Sequence, residues 1–431
     1  LKREVNNVPV TIIKTNKFKQ VAGRLYFKSP VLKNTITNRM MLRNMLMESC
    51  KKYDTSEKLY IKSLECYDAS LYASSSRVGN YHITSFTFST LIDKYTKEGN
   101  LKDVVDLFCE IIFNPLVSNF AFDQDTFDLI YETKKSALEK IKEDSGSYIE
   151  RQVLKNLDEN KAYTYMSDLK YLNKITSKSL YDDYLDMINN SSVSLVLAGD
   201  IDFDNPIIDI ITSKIKKNKK FDGKLLIDND KEKEENKVIT EDFFGTQNII
   251  NYVLYLKNLT DFERNYVAPL YRIILGGGVS SRLFSIIREE NKLAYYSFAR
   301  YEKDDSLMYI IMGIEKDNFD KAYKLTNKII DEMKNISDEE VLYAKRSYIT
   351  SYMELQDKIT NVIGSYNKLN LFDIKATKKQ SLLYIIIMST ISILSVFIID
   401  SPFNVILNYV AGFLIFYFIF KLNLLKTVIA S

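Results

Sequence analysis

The chemistry open to this chain is bounded by its histidines, because there is one, His82. A zinc site built on two imidazoles is therefore impossible, wherever its motif would fall. A serine or cysteine hydrolase needs a base beside its nucleophile, and no nucleophile elbow accompanies His82. His82 alternates with Thr84, Phe86 and Phe88, so it reads as a packed strand residue on one face rather than as a ligand. Cys50, Cys66 and Cys109 are odd in number and spaced unlike any zinc knuckle, and they read as reduced thiols in a reducing compartment. The other residues with chemical potential are Arg288 and Tyr295, seven positions apart behind Gly276, Gly277 and Gly278. On spacing alone the plainer reading is stronger: Arg288 is a solvated helix charge and Tyr295 the start of a strand.

The elements that would position these residues follow from periodicity. The three glycines stand between two segments of helical pattern, which implies backbone freedom or a close approach there. Ser280 or Ser281 sits where an N-cap belongs, before a helix running from Arg282 to about Asn291 with Leu283, Ile286 and Ile287 on its apolar face. As a phosphate cradle the glycine run is weak, since the Walker lysine is missing and no clear strand precedes it. Upstream, residues 8–14 and 21–27 alternate as strands about a turn, and 37–48 is a helix dense in Met, Leu and Arg. Residues 54–57 resemble a capping box, 71–76 and 81–90 alternate as strands, and 101–113 is a helix stopped by Asn114-Pro115. Residues 127–142 form a long amphipathic helix, 147–157 continue the helical pattern, and 193–200 read as a buried strand ending in Gly-Asp. A second series follows: strand 248–255, a helix into the glycines, strand 307–314, and a helix capped by Ser337 and Glu340. The two halves read as distant repeats.

Composition fits a folded chain of two or three domains, with 46% hydrophobic and 27% charged residues. A net charge of +3, from 59 basic and 56 acidic residues, suggests no nucleic-acid partner. Residues 214–240 carry charge runs without apolar periodicity and read as a surface linker. Leu1-Lys2-Arg3-Glu4 contains no apolar run, so no signal peptide is expected. The missing initiating Met suggests numbering that begins inside a longer product.

Leu275-Gly276-Gly277-Gly278-Val279-Ser280-Ser281-Arg282-Leu283-Phe284, followed by Ile287-Arg288-Glu289 and Leu293-Ala294-Tyr295, resembles the second-domain signature of the M16 peptidases. These are the pitrilysin, insulinase and mitochondrial-processing-peptidase group. The resemblance spans roughly residues 5–372 and implies an α+β chain of two M16-like (LuxS/MPP-like) domains, 1–213 and 241–372, the second incomplete. It also implies that Arg288 and Tyr295 face the substrate across a catalytic chamber. Active members hold zinc through a helical His-x-x-Glu-His and a distant glutamate. Counting back from Lys51-Lys52-Tyr53, those positions fall here on Met40, Met41, Leu42, Arg43 and Asn44. Met40 offers a thioether poorly suited to zinc, Asn44 a weak amide oxygen, and Arg43 a cation where the base should be. Glu132 and Glu139 read as relics of the carboxylate region. No metal and no cofactor are expected.

The resemblance implies a non-catalytic subunit that lends chamber residues to a zinc-bearing M16 sibling acting on a peptide or protein substrate. The opening segment looks most like the inactive YfmF-type member, a type associated with 5-aminopentanol modification of elongation factor P. The alternative is a purely structural, membrane-tethered scaffold with no peptide-processing role. After Asp357 the sequence departs from the family pattern. Residues 380–399 and 401–420 are uncharged, each long enough as a helix to cross about 30 Å of hydrocarbon. With Lys375, Lys378 and Lys379 before them and Lys421 and Lys426 after, residues 373–431 read as a transmembrane hairpin with both ends in the cytoplasm. Two buried core helices would satisfy the same pattern, and truncation, frameshift or fusion could each have produced the tail. The expected location is the cytoplasmic face of the cell membrane.

Overall fold

A computed structural model describes residues 1–221, 238–243 and 248–365. The first half runs β1 (Lys2–Val5), β2 (Val8–Lys14), β3 (Gln20–Pro30), α1 (Thr35–Glu48), α2 (Ser56–Glu65), β4 (Ser70–Val78) and β5 (Tyr81–Leu91). It continues through α3 (Asn100–Phe113), the small hairpin β6 (Val117–Ser118) and β7 (Ala121–Phe122), α4 (Gln124–Glu139) and α5 (Ser145–Asn156). It closes with α6 (Leu169–Leu172), α7 (Ser177–Asn190), β8 (Ser192–Gly199) and α8 (Ile207–Thr212). Six strands form one sheet in the order β1-β2-β8-β3-β5-β4, antiparallel except where β2 meets β8. Phe27, Phe86 and Phe88 meet Met41, Leu42, Met45 and Leu46 of α1 and Phe108 and Ile112 of α3 in the main core.

The second half contains β9 (Asn248–Tyr255), α9 (Ala268–Gly276), a π-helical segment over Leu283–Glu290, β10 (Ala294–Glu302) and β11 (Leu307–Ile314). Three helices follow: α10 (Phe319–Glu332), α11 (Asp338–Leu355) and α12 (Ile359–Ser365). Its sheet runs β10-β11-β9, all antiparallel. That repeats β4-β5-β3 of the first half in order and direction, so the repeat read from the sequence is present in the topology. Counterparts of β2 and β8 are absent from the second sheet among the described residues.

The halves are joined by packing and by charge. Ile359 and Ile363 of α12 cover the first sheet on the side of Tyr26, Val196 and Ala198. Arg77 holds the Asp305 carboxylate with both terminal nitrogens, and Arg300 donates to Glu150 at 2.8 Å. Within the second half, Arg282 is the staple. Its guanidinium donates to Glu340 at 2.5 and 2.8 Å and to the carbonyls of Glu332 and Asn335 at 2.8 and 2.7 Å. Glu340 in turn accepts from the Ser337 N–H at 2.8 Å while Ser337 caps α11, so the expected capping box forms.

Two expectations are corrected. The segment after the glycines is wound as a π-helix and has no serine N-cap. Ser281 is 1% exposed, and its hydroxyl donates backward to the Gly278 carbonyl at 2.6 Å. At the start of the stretch read as a surface linker, Asn218 accepts from the Val193 N–H at 2.7 Å and donates to the Asn7 carbonyl, while 222–237 lie outside the described residues. The second correction concerns the membrane. No helix among the described residues is long and apolar enough to cross one, so the described fold is corrected to an α+β chain without a transmembrane hairpin or the tether read from it. The longest helix, α11, has 18 residues, but Asp338, Glu339, Glu340, Lys345, Arg346 and Glu354 interrupt its apolar face. Residues 373–431, on which the hairpin was read, lie outside the described residues.

The Arg282 pair gives a pH signature. The Arg282 hydrogen bonds hold the Glu340 carboxyl down to about 2, against 4.5 when free. A depressed folded-state pKa contributes stability that is fully present above 4.5 and is lost as pH falls toward 2, here on the order of 3 kcal/mol. Denaturant melts of the wild type should lose that increment between those values. Glu340→Gln should start lower at neutral pH and be flatter across the window. Parallel curves for the two proteins would show that the pair carries no such stability.

Candidate functional site

α1 brings the degenerate motif against α4. Met40 is half-buried, Arg43 is half-buried and Asn44 faces solvent. What meets Met40 from α4 is Lys134, with Nζ 4.0 Å from the thioether sulfur. Glu132 is turned away, 67% exposed and 3.7 Å from Lys135, and Glu139 is exposed too. Burial lowers the Lys134 pKa, and the charges of Arg43 and Arg151 lower it further. Nε of Arg43 is shut off from solvent with no hydrogen-bond partner. These residues do not fit zinc. A thioether and an amide replace the imidazoles, and Arg43 and Lys134 would repel a divalent cation from the same place. Among the described residues no group of three His, Cys, Asp or Glu side chains is placed to hold a metal.

His82 is buried, 3% exposed, where β5 meets the β4 side chains, and its Nε2 lies 2.7 Å from the Ser75 hydroxyl. Burial and the nearby Arg39 charge hold its pKa down to about 4, so it stays neutral. Its Nδ1 has no partner to orient it as a base, which agrees with a packed strand residue. The three thiols are unpaired and buried, and burial raises each, Cys109 to about 12, so none is an activated nucleophile.

The glycine run serves packing. A Cβ on Gly276 would lie 2.5 Å from the backbone nitrogen of Ala299, and one on Gly277 2.5 Å from Ile273 Cα. Neither glycine has a positive φ: close approach of α9 to β10 accounts for Gly276, and Gly277 folds back on the last turn of its own helix. Gly278 is freer, with only the Tyr343 hydroxyl at 3.2 Å. From this anchored corner the π-helical turns present Arg288, whose guanidinium lies over the Phe284 ring at 4.6 Å and 3.8 Å from Glu289. A π-turn followed by a bulge re-aims side chains. The bulge falls between Ala294 and Tyr296, and Tyr295 projects from it 57% exposed. Its hydroxyl donates to Glu315 at 2.8 Å, which raises its pKa. The two residues are thus engaged by separate partners, each half-open to solvent.

Sequence reasoning missed Lys134, Glu315 and Phe284. Lys134 was detectable: Phe127, Ile130 and Leu138 are the buried residues of α4, and Lys134 falls on that same stripe. A lysine on the apolar face of an amphipathic helix marks a buried charge. Glu132 and Glu139 lie off that stripe.

Residues 174–348 match the family model described as the peptidase M16 inactive domain. The chain is 25% identical over 364 residues to the "Probable inactive metalloprotease YmfF" of Bacillus subtilis strain 168, covering 83% of this chain and 85% of that one. A crystal structure of a conserved protein from Enterococcus faecalis V583 superposes with TM-score 0.78 at 22% identity, over 85% of this chain and 88% of that one. The crystal structure of a peptidase M16 inactive domain from Pseudomonas fluorescens does so with TM-score 0.69 at 15% identity, over 88% and 90%. The inactive type expected from the opening segment is met in the Bacillus relative.

The Met40–Lys134 contact predicts how a zinc site could be rebuilt. The wild type should retain no stoichiometric zinc after dialysis. Installing Met40→His, Arg43→Glu and Asn44→His should still fail while Lys134 remains, and adding Lys134→Glu should give one zinc per chain by atomic absorption. Equal zinc in the triple and quadruple variants would mean that Lys134 does not face the motif.

Proposed function

We propose that this chain, an inactive M16-like metalloprotease homologue, is the non-catalytic half of a peptidase pair and lends substrate-binding groups to a zinc-bearing sibling. The observation that carries this reading is the state of Arg288 and Tyr295. Both are half-exposed, and both are pre-oriented, one by a ring beneath its guanidinium and the other by a strand bulge. Side chains held this way lose little freedom on binding, which is how fixed polar groups gain affinity. Arg288 keeps a planar donor fork for a peptide carbonyl or carboxylate. Tyr295 exchanges its Glu315 partner for a substrate oxygen, or donates to one while Glu315 orients the chain.

The first half supports the same reading. β4 is an edge strand of its sheet, and α1 packs against it. An extended peptide that adds its main chain to an edge strand gains hydrogen bonds without sequence demand, and one on β4 would pass close to α1. With Met40, Arg43 and Asn44 in place of ligands, nothing there activates water. Cleavage in such a pair therefore belongs to the sibling.

Loss of one charge-assisted hydrogen bond costs about 1.5–3 kcal/mol, or roughly ten- to hundredfold in binding. Arg288→Ala and Tyr295→Phe, each co-expressed with the presumed His-x-x-Glu-His sibling, should lower peptide turnover by about that factor with unchanged melting temperature. Arg288→Lys keeps the charge without the fork and should recover only part. Unchanged turnover in Arg288→Ala and Tyr295→Phe would remove the chamber role and leave a structural scaffold.

A further inference from the structure

α1 carries two arginines inward, and the fold answers them differently. Arg39, 3% exposed, is met by α7: it donates to Asp186 at 2.7 Å and feels the charge of Asp183, which itself accepts from Asn38. Arg43, one turn further along, has no such answer. Its Nε is sealed from solvent without an acceptor, and no ion pair forms to it among the described residues. Beside it Lys134 is half-buried and has the Met40 sulfur as its contact. The charges that act on Lys134 are those of Arg43 and Arg151, both positive. Arg151 is engaged elsewhere, donating to the Ser167 carbonyl at 2.8 Å and to Asp168. What remains is a pair of inward cations without a counter-ion, in a fold that supplies two carboxylates to the arginine one turn away. Buried charges are ordinarily paired, and an unpaired pair of one sign points to an anion that comes from outside.

We propose that Arg43 and Lys134 form a receptor for a carboxylate carried by an extended peptide. The guanidinium presents a planar fork that matches two carboxylate oxygens, and the ammonium adds a point donor. The Met40 thioether borders the pair and offers no competing charge. The carboxylate is either the C-terminus of the peptide or an Asp or Glu side chain within it. The path of the peptide past α1 rests on the chamber reading, but recognition of the carboxylate needs neither Arg288 nor Tyr295. The site thereby turns a lost metal position into a selector for acidic or C-terminal peptide segments.

The test uses the full chain and fluorescence anisotropy with three labelled peptides of one neutral Ala/Ser background. One is acetylated and amidated, one acetylated with a free C-terminus, and one amidated with a single internal Glu. A carboxylate peptide should bind at least tenfold tighter than the neutral one. The free acid winning identifies the C-terminus as the source, and the Glu peptide winning identifies the side chain. The advantage should vanish in Arg43→Gln and in Lys134→Gln, and both variants should melt no lower than the wild type because each removes an uncompensated charge. Equal binding of all three peptides, no binding of either carboxylate peptide, or an advantage that survives both substitutions overturns the proposal. Arg288→Ala separates the two readings. If it leaves every affinity unchanged while Lys134→Gln erases the carboxylate advantage, the chamber reading falls and the receptor stands; the opposite pattern sinks the receptor alone.

Discussion

The first sheet is covered on both faces, and the arrangement of the molecule follows from that constraint. Every residue of β5 from Tyr81 to Thr90 is buried, and five of the eight residues of β8 are buried in succession. A strand dry on both sides needs a layer on each. α1 and α3 supply one layer from within the first half. Part of the other comes from α12, at the far end of the described chain, where Ile359 and Ile363 close over Tyr26 and Val196. The second half therefore cannot drift from the first without exposing apolar surface. The Arg77–Asp305 pair then acts on a register that packing has already fixed. Orientation of Arg288 and Tyr295 relative to the first sheet is inherited from this cover.

Within that frame, charge rather than shape decides the chemistry. α1 still packs against α4, as a metal-binding helix would against the helix of a distant ligand, and Met40 still touches the α4 stripe. What projects there is positive, since Arg43 on α1 and Lys134 on α4 act on each other as like charges.

The halves differ in how much of this was legible. Strands β2 to β5, β8, β9 and β11, with α1, α3, α4 and the capped α11, follow from alternation, apolar spacing and a Ser-x-x-Glu box, all local signals, whereas α7 was not read. The repeat was legible because β3, β4 and β5 recur as β9, β10 and β11 with similar intervening helices. The glycines were legible as a need for close approach, whereas the target of Gly276, the backbone at Ala299, lies more than twenty residues on and leaves no local trace. The π-winding of Leu283–Glu290 was hidden because leucine and isoleucine at those spacings fit an α-helix equally well. Lys134 was legible and passed over: a search for carboxylates on α4 does not see a cation on the apolar stripe. The span reading rested on hydropathy in a stretch outside the described residues. Hydropathy alone does not separate a lipid-facing helix from one buried in protein.

A divalent metal and a pair of fixed cations present the same sign of charge to a peptide, and their difference is coordination. Zinc with three protein ligands keeps an open position, lowers the pKa of the water bound there, and polarises the carbonyl it touches. A guanidinium and an ammonium have no open position and deliver only donors whose number is fixed. Such a pair can attract and orient a carboxylate in the ground state but has no means to generate hydroxide beside it. Binding without activation is what the proposed non-catalytic role requires, because a second hydrolytic centre would compete for the same peptide. Arg43 and Lys134 on α1 and α4 therefore present an electropositive site near an edge strand, with no open coordination position at which to activate water.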